Sequence, residues 1–229
     1  MVKNGANKDL KNHVYRQLKE RLITCQYMPG TMINESQLAA EFALSRTPIR
    51  EALYRLEQDG FVQIMPKKGI LVTDITIQEV LFVFQARVEV EPVALKLSAP
   101  FLPRDELEHY LEIFSYDEPD LEKAFWKDME MHAFLVNHCG NPFIIDMMQK
   151  VFDRSYRISI ASNQTLQKIE NARTEHRDIL KRLAEGRDNA AVELLRQHLE
   201  ACKNHSLNFF NSAQAKVISS DWSLHSLLS

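Results

Sequence analysis

Four ionisable residues stand where a helical protein places its core: Asp128, His132, His176 and His198. Asp128 and His132 are spaced i, i+4 within the stripe Leu121, Phe125, Asp128, His132, Leu135, so both project from one helix face. His176 interrupts the stripe Ile169, Ala172, Ile179, Leu183, and His198 interrupts Ala191, Leu195, Cys202. Burying such groups unpaired is costly. One divalent cation held by three imidazoles and a carboxylate removes that cost for all four and brings Lewis acidity with open coordination positions. Zinc or nickel suits this donor set first, manganese or iron next. The competing reading is four separate core polar groups, each satisfied by a hydrogen bond.

A second set lies near the amino terminus, in "SRTPIREALYRLEQDG" from Ser45 to Gly60. On a helix beginning after Ser45, the residues Ile49, Ala52, Leu53 and Leu56 share the apolar face. Arg46, Thr47 and Arg50 share the other, at the helix start. A helix entering a DNA major groove end-on presents such a set: its N-terminus favours phosphate and its arginines reach guanine edges or phosphates. The plainer alternative is a solvated face on a small helical domain.

The elements that must position these groups follow from periodicity and punctuation. "NHVYRQLKERLITC" carries Val14, Leu18, Leu22 and Ile23 at helical spacing and is broken by "MPGT". Asn34 caps a second helix with Gln37 completing a capping box, and Ser45 caps the third, with Pro48 in its first turn and Gly60 at its end. "FVQIM" and "ILV" read as strands joined by the turn "PKKG", a wing with Lys67 and Lys68 near phosphates and Gly69 allowing close approach. Beyond Asp74 the pattern becomes six long helices. They start at Ile77 (with Pro92 inside), about Pro103, Pro119, Asn141-Pro142, about Gln164, and Asp188. The last ends near Phe210. The expectation is a mainly α chain in three parts: a winged helix-turn-helix over 1–74, an all-helical bundle over 75–211, and a tail over 212–229.

Charge agrees with this division. The net of −3 hides 11 Lys+Arg against 8 Asp+Glu through Asp74, and 17 against 23 thereafter, so the basic end is the one suited to a polyanion. The 3 cysteines are odd in number and in no metal or redox spacing, which reads as reduced thiols. The start "MVKNGANKDLKNH" lacks the apolar region of a signal peptide, and no apolar run is long enough to span a bilayer. A cytoplasmic protein is expected.

Two resemblances attach to these residues. "PGTMINESQLAAEFALSRTPIREALYRLEQDGFVQIMPKKGILV" resembles the winged helix-turn-helix of GntR-family bacterial transcription regulators. That implies contacts to double-stranded DNA by Arg46, Thr47 and Arg50 and by the wing at Lys67, Lys68 and Gly69. Ser36 joins this set, standing where many relatives carry an arginine that reaches DNA. "KDMEMH", "TEHRDIL" and "LRQHL" resemble the ligand motifs of the FCD effector domain of FadR-type GntR regulators, with Met131 where an aromatic is common. That implies Asp128, His132, His176 and His198 as ligands of one metal, whose open positions face a cavity for a small organic acid. Arg87 and Arg157 are candidates to anchor its carboxylate, although Arg87, four residues before Glu91, also suits an ion pair.

The chain therefore reads as a homodimeric regulator of a palindromic operator. It reads as a repressor governed by a carboxylate effector at a metal centre, without enzymatic activity. The alternatives are a metal-dependent enzyme, or a ligand-free dimerisation scaffold, fused to a DNA-binding domain.

Overall fold

The computed structural model of the chain describes the backbone of residues 3–162 and 166–225, and the side chains of 10–120, 122–162 and 170–212. It divides into two compact units, Met1–Ile75 and Thr76–Ser229.

The first unit holds helices α1 (Lys3–Ile23), α2 (Glu35–Glu41) and α3 (Arg46–Gln58) and strands β1 (Met32–Ile33), β2 (Val62–Met65) and β3 (Gly69–Val72). Val14, Leu18 and Leu22 of α1, Leu38 of α2, and Ile49, Leu53 and Leu56 of α3 are buried together with Phe61 and Val72. Burial of these apolar stripes, at about 25 cal/mol per Å², holds α2 and α3, which are too short to persist alone in water. Asn34 caps α2 by accepting from the Ser36 N–H at 2.7 Å. Ser45 occupies the cap position of α3, yet its side chain makes no capping hydrogen bond there. Pro48 explains this, because it sits third in the helix, where a capping oxygen usually finds an N–H, and proline has none.

The hairpin appears as expected, with Val62 opposite Val72 and Met65 opposite Gly69. A third strand, the dipeptide Met32–Ile33, pairs with β3 and places β3 in the centre. It is too short to show alternation in sequence. The wing turn carries Lys67 at φ 64 and Gly69 at φ 123. At that φ a side chain would be strained, and a Cβ on Gly69 would also lie 3.1 Å from the Ile33 carbonyl oxygen of β1, so the turn itself favours glycine there.

The second unit is built from α4 (Ile77–Ser98), a 3₁₀ turn (Ala99–Phe101), α5 (Arg104–Ile113), α6 (Leu121–Asn137), α7 (Pro142–Ala161), α8 (Leu166–Ala184) and α9 (Asp188–His225). Thr76, Asp120 and Asn141 cap α4, α6 and α7 through side-chain oxygens that accept helix-start N–H groups. Asp188 opens α9 as its first residue, and the Arg187 carbonyl takes the bonds from Ala190 and Ala191. α4 packs against α6, α7 and α9, and its Leu95 joins Met131, Leu135, Ile179 and Leu195 in the principal core. α9 does not stop near Phe210 but continues to His225, so helix replaces most of the expected tail; residues 226–229 lie outside the described residues. Mainly helical architecture with a small sheet near the amino terminus is thus what the chain adopts.

Candidate functional site

The three interrupted stripes of α6, α8 and α9 meet. One ligand atom from each of Asp128, His132, His176 and His198 lies within 4.8 Å of all the others. His176 Nε2 stands 3.1 Å from His198 Nε2 and 3.1 Å from Asp128 Oδ1. The three imidazoles are buried and Asp128 is half-buried. Leu121 and Ile169, the stripe members at the helix starts, lie outside the residues whose side chains are described.

Two carboxylates aim the rings. Glu91 of α4 receives the His132 Nδ1–H at 2.8 Å, which leaves His132 Nε2 buried with no hydrogen-bond partner. Glu175 of α8 receives the His198 Nδ1–H at 2.6 Å. A carboxylate on Nδ1 fixes the tautomer that leaves Nε2 bare, as in histidine metal sites. Glu91 also accepts from Arg87 Nε, and Arg87 Nη1 donates to Ser155 Oγ at 2.8 Å. The buried array Ser155–Arg87–Glu91–His132 thus couples α7, α4 and α6. His176 differs: its Nδ1 is buried without a partner, and the edge of Phe114 packs on its ring at 5.0 Å between centroids.

The electrostatics favour ligation at two of the three rings. Burial pushes His132 below its ordinary value against the pull of Glu91. Burial pushes His176 well down, and the neighbouring His198 and His132 add to this. His198 moves oppositely. Burial lowers it, but Cys202, Glu175 and Asp128 outweigh burial and raise it to about 10. Glu91 falls to about 2, because Arg87 and His132 outweigh its burial. Three nitrogens and an oxygen, one of them an orphaned buried Nε2, fit a divalent cation.

A cavity of about 290 Å³ adjoins the cluster. Its polar wall includes Asp128, His176, His198 and Arg87, and Phe114 and Phe125 supply apolar wall. Arg87 thus faces the cavity while paired with Glu91. Arg157 is buried on α7 and is not among the lining residues. Arg173 and Lys127 line the cavity instead, paired with Asp117 at 2.6 Å and Glu118 at 2.7 Å. Sequence reasoning passed over both because they lie off the apolar stripes and read as surface charges. It passed over Glu175 for the same reason.

In the first unit, Arg46, Thr47 and Arg50 are exposed on one side of α3, with Ile49 buried on the other. Arg46 Nη2 donates to Ser36 Oγ at 3.0 Å, and Arg50 Nε to Glu35 Oε2 at 2.9 Å. Both partners come from α2, so α2 sets the direction of the α3 arginines. Glu35 was not foreseen; its place directly after the cap residue marks it only as a favourable helix-start charge. Lys67 and Lys68 are exposed in the wing turn.

The head is three helices with a β wing, and the bundle that follows encloses a His/Asp cluster. The family described as "Bacterial regulatory proteins, gntR family" matches residues 10–72, and the FCD domain matches residues 82–201. The chain belongs to the GntR family of bacterial DNA-binding transcriptional regulators and carries an FCD domain, in agreement with a FadR-type regulator. It is 29% identical over 198 residues to the HTH-type transcriptional repressor GlaR of Escherichia coli strain K12, spanning 81% of this chain and 90% of that one. It is 28% identical over 207 residues to the HTH-type transcriptional regulator YdhC of Bacillus subtilis strain 168, spanning 86% of each. In fold it resembles a GntR transcriptional regulator from Rhodococcus sp. RHA1, with TM-score 0.76 and 20% identity over 86% of this chain and 97% of that one. Among the described residues no helix is long and apolar enough to cross a membrane.

Proposed function

We propose that the chain is a homodimeric repressor whose hold on a palindromic operator is set by a small organic acid bound beside one divalent metal ion. The observation that carries this reading is the convergence of Asp128, His132, His176 and His198 within 4.8 Å, beside a cavity of about 290 Å³. Those four residues would hold the ion, which would offer its remaining positions to a carboxylate. Glu91 and Glu175 orient the imidazoles. Arg87 adds positive charge on the cavity wall, and Phe114 and Phe125 accept the apolar part of the acid. Zinc or nickel suits the nitrogen-rich set better than manganese or iron.

In the head, Arg46 and Arg50 read or clamp the operator from the start of α3, with Thr47 beside them. Lys67 and Lys68 meet phosphates from the wing, and Ser36 serves by holding Arg46. A single head spans few base pairs, so selectivity calls for two copies on a two-fold site. The effector acts only through its different affinity for the operator-competent and incompetent arrangements. GlaR, a relative, is named a repressor.

The test is titration of small carboxylic acids into metal-loaded, chelator-stripped and His176→Ala protein, with operator affinity followed in parallel. The loaded protein should bind at least one acid more tightly than the other two. That acid should shift operator affinity by about 1–3 kcal/mol. Equal binding to all three samples would sink the metal-centred reading.

A further inference from the structure

Cys202 stands one helical turn beyond His198 on α9 and lines the same cavity. Its Sγ is 3.7 Å from His198 Nε2, the atom that faces the cluster. Nitrogen and sulfur bound to a single five-coordinate zinc at about 2.05 and about 2.3 Å, at angles of about 90–120°, stand roughly 3.1–3.8 Å apart, so this separation falls within the range of two donors to one ion. The sulfur lies at the edge of the four-atom cluster rather than within it. One χ1 rotation is enough to re-aim a cysteine.

An independent feature marks the place as a cation site: His132 Nε2 is buried, belongs to the cluster and has no hydrogen-bond partner. No disulfide engages Cys202, and its side chain is partly buried rather than sealed in the core. The other wall residues next to the cluster are hard oxygen donors, cations or hydrocarbon. Cys202 alone among the described lining residues could bring a soft donor.

We propose that Cys202 is a fifth donor to the metal, closing its cavity-side position from α9 and biasing the site toward borderline-soft ions over manganese. This inference rests on the metal reading above. On ligation the thiol loses its proton to solvent and the thiolate sulfur takes up one open position, with no change of oxidation state. A carboxylate effector then either displaces the sulfur or binds at the position left beside it. The thiolate is thus an internal competitor that sets how tightly an acid must bind to register.

Cobalt(II) provides the test, because a thiolate ligand gives it an intense near-ultraviolet charge-transfer band that nitrogen and oxygen donors do not. The full chain, Cys202→Ser and His176→Ala are each loaded with cobalt, and zinc and manganese affinities are measured by chelator competition. The wild-type chain should bind one cobalt with the thiolate band. Cys202→Ser should bind one cobalt without it. The substitution should lower zinc affinity by about tenfold or more and leave manganese affinity unchanged. A band that fades on addition of a carboxylate identifies displacement; a band that persists identifies shared occupancy. Stoichiometric cobalt without a thiolate band, or an unchanged zinc-to-manganese preference in Cys202→Ser, overturns the proposal and leaves the four-residue site intact. No cobalt bound by the wild-type chain overturns both, and His176→Ala confirms that any cobalt observed belongs to this cluster.

Discussion

The two units carry charge in opposite ways. In the head, Arg46 and Arg50 are exposed, and each meets a single α2 partner within 15 residues of chain. In the bundle, Arg87, Glu91 and His132 are buried, and Arg87 reaches Ser155 across 68 residues of chain and Glu91 reaches His132 across 41. An exposed charge is solvated whether or not its ligand is present, so it can be spent on binding with little effect on folding. A buried charge must be matched by the fold itself, so its site and the stability of the unit are one quantity. Substitutions in the head should therefore change DNA affinity alone, and substitutions in the bundle should change stability and ligand binding together.

The sharpest break of this contrast is Glu91→Ala. It strands the buried Arg87 and frees His132 Nδ1, and should cost about 3–5 kcal/mol in urea denaturation of the second unit. The same carboxylate predicts an acid limb. Its folded value, about 2, lies below its ordinary 4.5, so its contribution is complete above about pH 4.5 and is lost as pH falls toward 2. A denaturation series over that range should show a slope that Glu91→Ala lacks.

Metal removal should come next in size. With free metal a thousandfold above Kd, bound metal stabilises the folded unit by about 4 kcal/mol. Chelation or His176→Ala should remove that increment, read as a lower calorimetric Tm together with lost metal content. A chelator that leaves Tm unmoved would contradict the coupling.

The head should answer differently. Arg50→Ala should cost about 1–3 kcal/mol of specific operator binding while shifting folding stability by less than about 0.5 kcal/mol. Electrophoretic mobility shift and thermal melts on the same sample decide it; a large loss of Tm would mean the Glu35 pair is structural. The smallest effect belongs to the wing. Lys68→Ala should weaken all DNA sequences alike and lower the salt slope by about 1.

How legible each site was follows from how far apart its parts lie. The head was read from one stretch because periodicity, a cap position and a glycine are local signals, and Arg46, Thr47 and Arg50 share a face on any helix started at Ser45. The four cluster residues were legible because each breaks an apolar stripe, and a stripe is buried wherever its helix packs. What faces what was not. That Glu91 turns His132 and Glu175 turns His198, that Arg173 and Lys127 line the cavity while Arg157 does not, and that Cys202 borders His198 Nε2 are decided by the packing of α4, α6, α8 and α9. Likewise Glu35 gained meaning only when α2 was laid against α3, and Met32–Ile33 became a strand only by pairing with β3. Sequence by itself determined where the helices start, the wing hairpin and the residues out of place on apolar faces, because those depend on intervals of a few residues, whereas the extent of α9 beyond Phe210 carried no such local signal. Tertiary structure alone decided pairing, orientation and access, because these depend on distances between residues that the chain leaves tens of positions apart.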